Sequence, residues 1–413
     1  MSTGFIPTDI LLPYGQNMKK WSVVACDQYT GDPSYWEEIY RWVGDAPSTL
    51  HLTLPEVYLD RHDIDQRIDN IHQKMEEYLD QRILRRYLNT LIYVERTLDN
   101  GRTRKGLVGA LDLEEYDFTP GATTLCRPTE ETVPARIPPR QRVRTGAPLE
   151  LPHALILIDD REHTVIAPLD QNKAQMKKVY DFDLMQRGGH IKGYALDEAS
   201  VAHVTEALEQ LKSASTQKYG NPLLYLVGDG NHSIATAKAY YERLKRNIGE
   251  EAREHPARYM LVEITNLHSS GTVFEPIHRV LYNVNKEDLL AELSALHPAN
   301  AVAEQNVGIY ADGKTQAFAF TKPTSKLTVG TLQTFIDDYI IRHPEVVVDY
   351  IHEEAAVKKC CEAKNSVGFL LPAIEKDRFF DSIFTDGILP RKTFSMGESN
   401  DKRYYLECRK ITK

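Results

Sequence analysis

The sequence predicts an α+β fold with more than one sheet, and three observations support this. The chain has 413 residues, enough for two or three domains of ordinary size. Paired strands come first and strand–helix units follow, so the order is mixed rather than a strict alternation of strand and helix. Apolar residues make up 42% of the chain and charged residues 26%, as is ordinary for a globular protein with a large core.

The first part of the chain predicts a buried strand, two helices and a hairpin. Pro33 is placed where a helix tolerates proline, in its first turn. Asn100-Gly101 lies between two alternating apolar runs and predicts the turn of a hairpin. The predicted elements are a strand at 21–26, helices at 34–42 and 63–84, and strands at 91–98 and 105–113.

Residues 119–152 are the least regular part of the sequence. They hold seven prolines and five arginines, Arg127 and Arg136 among them. A loop of this length is either functional or disordered. Regular patterns then return, and they predict strands at 154–158, 163–167, 223–227 and 258–266 and helices at 199–213 and 233–245.

A new module is predicted to begin near Lys286. Its predicted helices lie around 286–296, 329–342 and 373–381, and its strands around 307–321, 346–351 and 366–371. The sequence therefore predicts an α+β phosphate-binding core over residues 1–285, including the irregular loop 119–152. A C-terminal α+β module over residues 286–413 completes the predicted organisation.

Charge and cysteine content narrow the classes of partner. The net charge is −9 and no run of basic residues stands out, which argues against a nucleic-acid partner. No apolar run approaches the ~18 residues of a membrane span, and no signal pattern opens the chain. Five cysteines without a C-x-x-C pair predict a reduced, cytoplasmic setting. We expect a small-molecule substrate, and the oligomeric state stays open.

Residues 228–233 (GDGNHS) join a predicted strand to a predicted helix. Gly228 and Gly230 permit positive φ or a close backbone approach to a ligand. The first amides of a helix point out of its N-terminus and favour an anion there. Asn231, His232 and Ser233 add side chains at the same point, so the pattern predicts a phosphate site. The same residue types are also typical of an ordinary turn with a helix cap.

Asp229 is the unexpected member of this stretch, because a carboxylate repels a phosphate. It could hold Mg²⁺ on the phosphates, accept a proton from an attacking hydroxyl, or cap the helix. The stretch is not a Walker A loop, since the G-x-x-x-x-G-K-[ST] pattern is absent. A zinc site is not expected either, because no paired Cys/His spacing occurs.

Five segments, taken in order, resemble the domain-of-unknown-function 1015 family of bacteria and archaea. The stretch Asp229–His232 resembles that family's D-G-H-H-R motif. The other matching segments are Leu50-His51 with Leu54-Pro55-Glu56, TLCRPTEE at 124–131, FEPIHRV at 274–280 and LPRKTF at 389–394.

This resemblance implies a ParB/sulfiredoxin-like core with additional mixed sheets and helices, related to free-serine kinases. The implied activity is phosphoryl transfer to a small hydroxyl compound, first of all L-serine, from ATP, ADP or pyrophosphate. Residues 229–233 would be the phosphate loop, with Mg²⁺ as the phosphate's partner. The alternative is a ParB-like switch that binds a nucleotide without phosphorylating a small molecule.

The sequence departs from the family motif at two positions, where Asn231 replaces a His and Ser233 replaces the Arg. A missing Arg removes a bidentate phosphate donor, so another cation should replace it. The candidates are Arg127, Arg136, Arg279 and Arg391.

Roles for the remaining candidate residues complete the predicted site. Asp229, His232 and Asp27 are the predicted catalytic residues, and Asp27 is read either as the base for the hydroxyl or as a turn residue. Arg127 and Arg279 are predicted phosphate ligands. His51, His278 and Arg391 are predicted substrate-binding residues, although spacing alone favours a structural role for both histidines.

Overall fold

The computed structural model describes residues 2–297 and 304–413. The chain forms two compact units. The first runs to Pro128, resumes over Thr132–Thr272 and takes up the C-terminal segment Glu398–Lys413, whereas the second comprises Thr129–Glu131 and Val273–Gly397. The sequence predicts a boundary between domains at residues 285 and 286, and that boundary stays a prediction.

The described part of the chain contains twenty strands and eleven α-helices. The strands are β1 Phe5–Ile6, β2 Thr8–Pro13, β3 Leu84–Thr90, β4 Ile92–Thr97, β5 Thr103–Asp112, β6 Cys126–Pro128, β7 Leu149–Glu150, β8 Leu155–Ile158, β9 Lys177–Asp183, β10 His190–Ala195, β11 Tyr225–Asp229, β12 Tyr259–Asn266, β13 Glu275–Pro276, β14 His278–Tyr282, β15 Gln305–Ala311, β16 Lys314–Phe320, β17 Val347–Ile351, β18 Ser366–Leu370, β19 Phe394–Ser395 and β20 Arg409–Lys410. The helices are α1 Met18–Trp21, α2 Pro33–Val43, α3 Ile64–Asp80, α4 Ile137–Arg144, α5 Ala167–Asn172, α6 Glu198–Tyr219, α7 Asn231–Ile248, α8 Lys286–Leu296, α9 Thr328–Arg342, α10 Glu354–Cys360 and α11 Lys376–Asp386.

A large mixed sheet organises the first unit. Its strand order is β6-β11-β8-β12-β5-β4-β10-β9, and β1 pairs with β5 beside this path. Strand β11 runs parallel to β6 and antiparallel to β8, and β12 runs parallel to β8. The remaining pairs of this sheet are antiparallel. The predicted α+β class with more than one sheet is therefore confirmed.

An apolar cluster covers each face of the large sheet. Successive side chains of a strand point to opposite faces, so neighbouring residues belong to different clusters. On β4, Ile92 and Val94 belong to one apolar cluster and Tyr93 to another. The first cluster also includes residues of α2, α3 and the C-terminal segment. The second includes the buried stripe Ile234, Ala237 of α7 together with residues of α6. Helix α7, which follows β11 in the chain, is thus fixed against this sheet.

The second unit has its own five-stranded antiparallel sheet. The strand order is β16-β15-β18-β14-β17. Val280 of β14 and Phe369 of β18 are fully buried, as is Ile336 of α9. The predicted elements of this region correspond to α8, α9, α11, β17 and β18, and the one predicted strand 307–321 is a hairpin of β15 and β16. Strand β14 and helix α10 were not predicted.

Two predicted strands in the first unit are wrong. Over 163–167 the chain bends and then enters α5, because the Asp160 carboxylate accepts hydrogen bonds from the amides of Thr164 (3.0 Å) and Val165 (2.9 Å). Those amides are then unavailable to a ladder. Over 21–26 the chain makes only an isolated bridge, between Val24 and Tyr404.

Two further observations concern membranes and disulfides. Among the described residues, no helix combines the length and the apolar character that crossing a bilayer requires. All five cysteines are free thiols, two of them adjacent in sequence.

Candidate active site

The predicted phosphate loop forms a tight turn between β11 and α7. Gly230 lies in the left-handed region, with φ +80° and ψ 30°, and it is the residue before the helix starts. A Cβ on Gly230 would lie 2.9 Å from the Cα of Ala154 and 3.2 Å from its Cβ. Only glycine combines this φ with so close an approach to a neighbouring backbone.

The N-terminus of α7 leaves amides available for a ligand. The first hydrogen bonds run from the amides of Ser233 (3.0 Å) and Ile234 (3.1 Å) to the carbonyl of Gly230. The amides of Asn231 and His232 precede these bonds and point out of the helix. No side chain caps the helix, and within the described residues the buried Oδ1 of Asn231 has no hydrogen-bond partner. This geometry suits an anion.

Asp229 is bound on both carboxylate oxygens. Its Oδ1 accepts a hydrogen bond from the Gly230 amide at 2.9 Å, and its Oδ2 lies 3.2 Å from Nζ of Lys402. The two side chains are 20% and 13% exposed, so the pair is partly shielded from solvent. Asp229 thus holds both the turn and a cation at the start of α7.

Lys402 reaches the loop because the C-terminal segment returns to the first unit. The Ala25 amide donates to the carbonyl of Arg403 at 2.9 Å. The buried guanidinium of Arg96 donates to the carbonyls of Asp401 (3.2 Å) and Lys402 (2.5 Å). The backbone that carries Lys402 is therefore fixed from both sides.

Asp27 lies in the same region and is paired with His153. The Asp27 Oδ2 is 3.2 Å from Nε2 of His153, and Gln28 donates to Asp27 Oδ1 at 3.0 Å. Burial alone would raise the pKa of Asp27, but the charge and hydrogen bond of His153, with Gln28 and Lys402, outweigh it and lower that pKa. Asp27 is thus an ionised hydrogen-bond acceptor at neutral pH.

The register of the sheet explains why His153 is near the loop. Leu155 of β8 pairs with Asp229 of β11, and the strands are antiparallel. The residues just before β8 therefore lie beside the residues just after β11. Ala154 contacts Gly230 and His153 contacts Asp27 as a result.

His232 is a neutral acceptor at the start of α7. Its Nε2 accepts a hydrogen bond from the Val133 amide at 3.2 Å. Burial, together with the positive charges of Arg140 and Arg136, lowers its pKa to about 4. The proton of the neutral ring is accordingly assigned to Nδ1. His232 cannot supply positive charge to a phosphate at pH 7.

The irregular loop contributes cations to this region through a helix that the sequence did not predict. Helix α4 starts at Ile137, with prolines in its first turn, and packs against α7. Its Arg140 donates from Nε to Glu56 at 2.6 Å. The Glu56 amide in turn donates to the Cys26 carbonyl at 2.8 Å, directly before Asp27. Arg136 is exposed one turn before Arg140.

Two other predicted site residues of the first unit have different surroundings. Arg127 lies on β6, in register with Leu226 of β11, and its Nε donates to the Thr124 carbonyl at 3.1 Å. His51 lies in a turn, where its Nδ1 is 3.1 Å from the hydroxyl of Tyr78. Their roles in binding stay predictions.

The remaining predicted residues belong to the second unit. The fully buried Arg279 donates to Gln333 Oε1 (2.9 Å) and to the carbonyls of Ile277 (2.6 Å), Lys392 (3.0 Å) and Arg391 (3.4 Å). The buried His278 accepts from the Leu371 amide at 3.1 Å. Arg391 itself is exposed. The contacts of Arg279, His278 and Arg391 with phosphate or substrate stay predictions.

The described residues do not form a metal site by themselves. No group of three His, Cys, Asp or Glu side chains there could hold an ion. Both oxygens of Asp229, the predicted Mg²⁺ ligand, already contact Gly230 and Lys402. The donor set therefore does not fit a resident Mg²⁺, and we derive no step through one.

Sequence reasoning missed Lys402, His153 and Arg140. Each comes from a segment far from the loop in the chain, and none lies in a motif. The signal that could have found Arg140 is the arginine-rich composition of 119–152. For Lys402 and His153 the sequence carries no local signal.

A family model matches residues 12–339, and its description is Protein of unknown function (DUF1015). The match covers more than half of the chain. The chain belongs to this family. The predicted resemblance is thereby confirmed, and four of its five segments lie inside the match, whereas 389–394 lies beyond it.

Three solved structures illustrate what the chain is similar to. They are a conserved hypothetical protein from Pyrococcus furiosus (11% identity, 73% of this chain and 94% of that chain, TM-score 0.33), a free serine kinase in complex with AMP (9%, 73% and 90%, 0.36) and SbnI with a C-terminal truncation from Staphylococcus aureus (9%, 70% and 81%, 0.35). No curated protein matches the chain. Because these TM-scores are below 0.5, we rest no conclusion on them.

Proposed function

We propose that this protein is a phosphotransferase that phosphorylates a small hydroxyl compound. L-Serine is the acceptor to test first, giving O-phosphoserine, with ATP, ADP or pyrophosphate as donor. One observation carries the proposal: the uncapped N-terminus of α7 follows a left-handed glycine and lies beside a lysine and an ionised aspartate. This combines an anion site with an acceptor for a hydroxyl proton.

The phosphate would bind at the start of α7. The amides of Asn231 and His232 would donate to its oxygens, and the helix dipole favours negative charge there. Gly230 allows the backbone to turn without a side chain in the way. Donors that are already in place stabilise developing charge without reorganisation, which is how such sites accelerate a reaction.

Lys402 would provide the positive charge that the family motif draws from Arg. Ser233 stands at that position, so the loop itself carries no cation. The Nζ of Lys402 lies at the loop because Asp229 binds it, and Arg140 adds charge from α4. Asp229 would then act by placing Lys402 and the turn, besides its predicted role as base.

Asp27 would accept a hydrogen bond from the acceptor hydroxyl and orient it toward the phosphorus atom. A lowered pKa suits this orienting role, because phosphoryl transfer through a loose transition state needs little proton abstraction early in the reaction. The carboxylate stays ionised across the physiological range and is ready to take the proton as the bond forms.

Other parts of the proposal come from the family resemblance. The choice of L-serine as acceptor and of ATP, ADP or pyrophosphate as donor follows from that resemblance of the sequence. A ParB/sulfiredoxin-like core and substrate contacts from His51, His278 and Arg391 also belong to the proposal. So does a cytoplasmic location, which the five free thiols support.

The test is a product assay by mass spectrometry. The protein is incubated with a panel of amino acids and sugars and with ATP, ADP or pyrophosphate in turn. We expect phosphorylated product from one acceptor, and a loss of about 10²–10³ in rate for Asp229→Asn, as for removal of one preorganised donor. Asp183→Asn is the matched control, because Asp183 also pairs with a lysine, at 3.1 Å, but on the exposed strand β9.

Two outcomes would overturn the proposal. If Asp229→Asn keeps the activity of Asp183→Asn, the loop is not the catalytic site. If no donor gives product while a nucleotide binds measurably, the protein is a nucleotide-binding switch of the ParB-like kind.

A further inference from the structure

A chain of hydrogen bonds leads from Asp27 into the protein interior. His153 contacts Asp27 through Nε2 at 3.2 Å and the hydroxyl of Tyr405 through Nδ1 at 3.0 Å. The Tyr405 hydroxyl donates to Sγ of Cys26 at 2.9 Å and accepts from the Cys26 amide at 3.1 Å. Four side chains from three distant segments therefore form one connected network.

The network is open to solvent at the half-buried Asp27 and Cys26 and closed at His153 and Tyr405. The Asp27 side chain is 27% exposed, whereas His153 is 9% and Tyr405 3% exposed. The hydroxyl proton of Tyr405 is directed to sulfur, so its oxygen is left to accept from Nδ1 of His153. Both ring nitrogens of His153 then act as donors, one to Tyr405 and one to Asp27. That arrangement requires a protonated imidazole.

We propose that His153 is a positioning residue that fixes the Asp27 carboxylate toward the acceptor hydroxyl, and that Tyr405 fixes His153 in turn. This inference rests on the proposed function. The ring of His153 meets that of Tyr405 edge-on, at 73° and 5.8 Å between centroids, so neither ring can rotate freely. Asp27 consequently keeps one orientation, and misplacement of a reacting group by about 1 Å can lower a rate 10²-fold.

The electrostatics of the pair agree with this geometry. Burial by itself would lower the pKa of His153, but the Asp27 charge and its hydrogen bond raise it well above the usual value. The groups that face Asp27 are His153, Gln28 and Lys402, with His232, the half-buried Cys26 and the buried Tyr405 nearby. Burial raises the pKa of Asp27, and without His153 only Lys402 and Gln28 lower it. We therefore expect the pKa of Asp27 to rise when His153 is removed.

The first test is the pH profile of kcat/KM for phosphoryl transfer. In His153→Ala we expect the acid limb to move up by about 1–3 pH units, the usual effect of one nearby opposite charge. The rate at pH 7 should fall about 10²-fold. His153→Gln keeps a neutral donor and should shift the limb but recover part of the rate. His190→Gln is the control, because His190 lies between two aspartates at the start of β10 and should leave the profile unchanged.

The second test does not need activity. In protein labelled with ¹⁵N-histidine, the wild-type His153 ring should carry protons on both nitrogens at pH 7.5, and Asp27→Asn should lower its pKa. A wild-type ring that titrates at or below its ordinary value, about 6.5, would overturn the pairing and the inference. An unshifted acid limb in both folded His153 variants would overturn the positioning role. If the ring titrates as expected but no donor gives product, the proposed function fails and the positioning role fails with it, while the pair itself stands.

Discussion

Replacing Gly230 by alanine tests the turn on which the site depends. Gly230 has φ +80°, and an added Cβ would lie 2.9 Å from the Cα of Ala154. Gly220, which ends α6, has nearly the same φ of +78° but no atom within 4 Å of an added Cβ. Both glycines therefore have a positive φ that penalises a side chain, but only Gly230 lies close to a neighbouring backbone.

The expected magnitudes follow from these two contributions. A side chain held in the left-handed region costs about 1–2 kcal/mol, and this applies to both variants. Forcing the backbone around Ala154 to move adds about 1–3 kcal/mol, by analogy with overpacking of a tight interior. We expect Gly220→Ala to lower the free energy of unfolding by about 1–2 kcal/mol and Gly230→Ala by about 2–5 kcal/mol.

Urea unfolding followed by tryptophan fluorescence measures the difference in unfolding free energy between the two variants in the first compact unit of the chain. The three tryptophans, Trp21, Trp36 and Trp42, all lie in the first unit, so the signal reports its transition alone. Gly230→Ala should also lose phosphoryl transfer, whereas Gly220→Ala should keep it. If the two variants unfold at the same urea concentration, Gly230 does not approach Ala154 as described and the geometry of the turn is wrong.

Three further predictions concern single side chains. Because the pKa of His232 is lowered to about 4, the unfolded chain binds its proton first as pH falls. Its contribution to stability should be complete above pH 6.5 and disappear between pH 6.5 and 4, a dependence that His232→Gln should remove from the pH profile of the Tm. Arg279→Met should destabilise the second unit by about 3–5 kcal/mol in calorimetry, since it leaves buried acceptors without a donor, whereas the exposed Arg391→Met should change stability by less than about 0.5 kcal/mol. Equal effects of these two would contradict the packing described for Arg279. Lys402→Met should lower kcat/KM about 10²–10³-fold and Lys402→Arg much less, and equal activity of the two would show that charge at this position is not used.

The sequence predicted the strand β11, the helix α7 and the turn between them with little error. The prediction succeeded because it used local features: the apolar run, the two glycines and the amphipathic stripe of α7. Such features depend only on residues that are close in sequence. The left-handed Gly230 is what such a pattern demands. The same holds in the second unit, where the predicted helices and strands lie within a few residues of α8, α9, β17 and β18.

The surroundings of the loop could not be predicted, because they depend on contacts distant in sequence. Lys402 reaches Asp229 only through the return of the C-terminal segment. The Arg96 guanidinium and the Ala25 amide hold this segment by hydrogen bonds to its carbonyls. His153 reaches Asp27 only through the register of β8 with β11. Neither pairing changes the hydrophobic period of its own segment, so no window of sequence reveals it.

The predicted strand at 163–167 was wrong for a local reason that hydrophobic periodicity does not reveal. Asp160 uses both carboxylate oxygens to bind the amides of Thr164 and Val165. An aspartate that competes for backbone donors in this way converts an apolar run into a turn. Helix α4 was missed for the opposite reason, because its prolines indicate a loop. They lie in the first turn, where a helix accepts proline.

A crystal structure with ADP or pyrophosphate would test the central claim most directly. We predict that a phosphate group lies at the start of α7, with oxygens within about 3.2 Å of the amides of Asn231 and His232 and of Nζ of Lys402. A phosphate bound elsewhere, with these amides and Lys402 left as they are, would contradict the assignment of residues 228–233 as the phosphate loop.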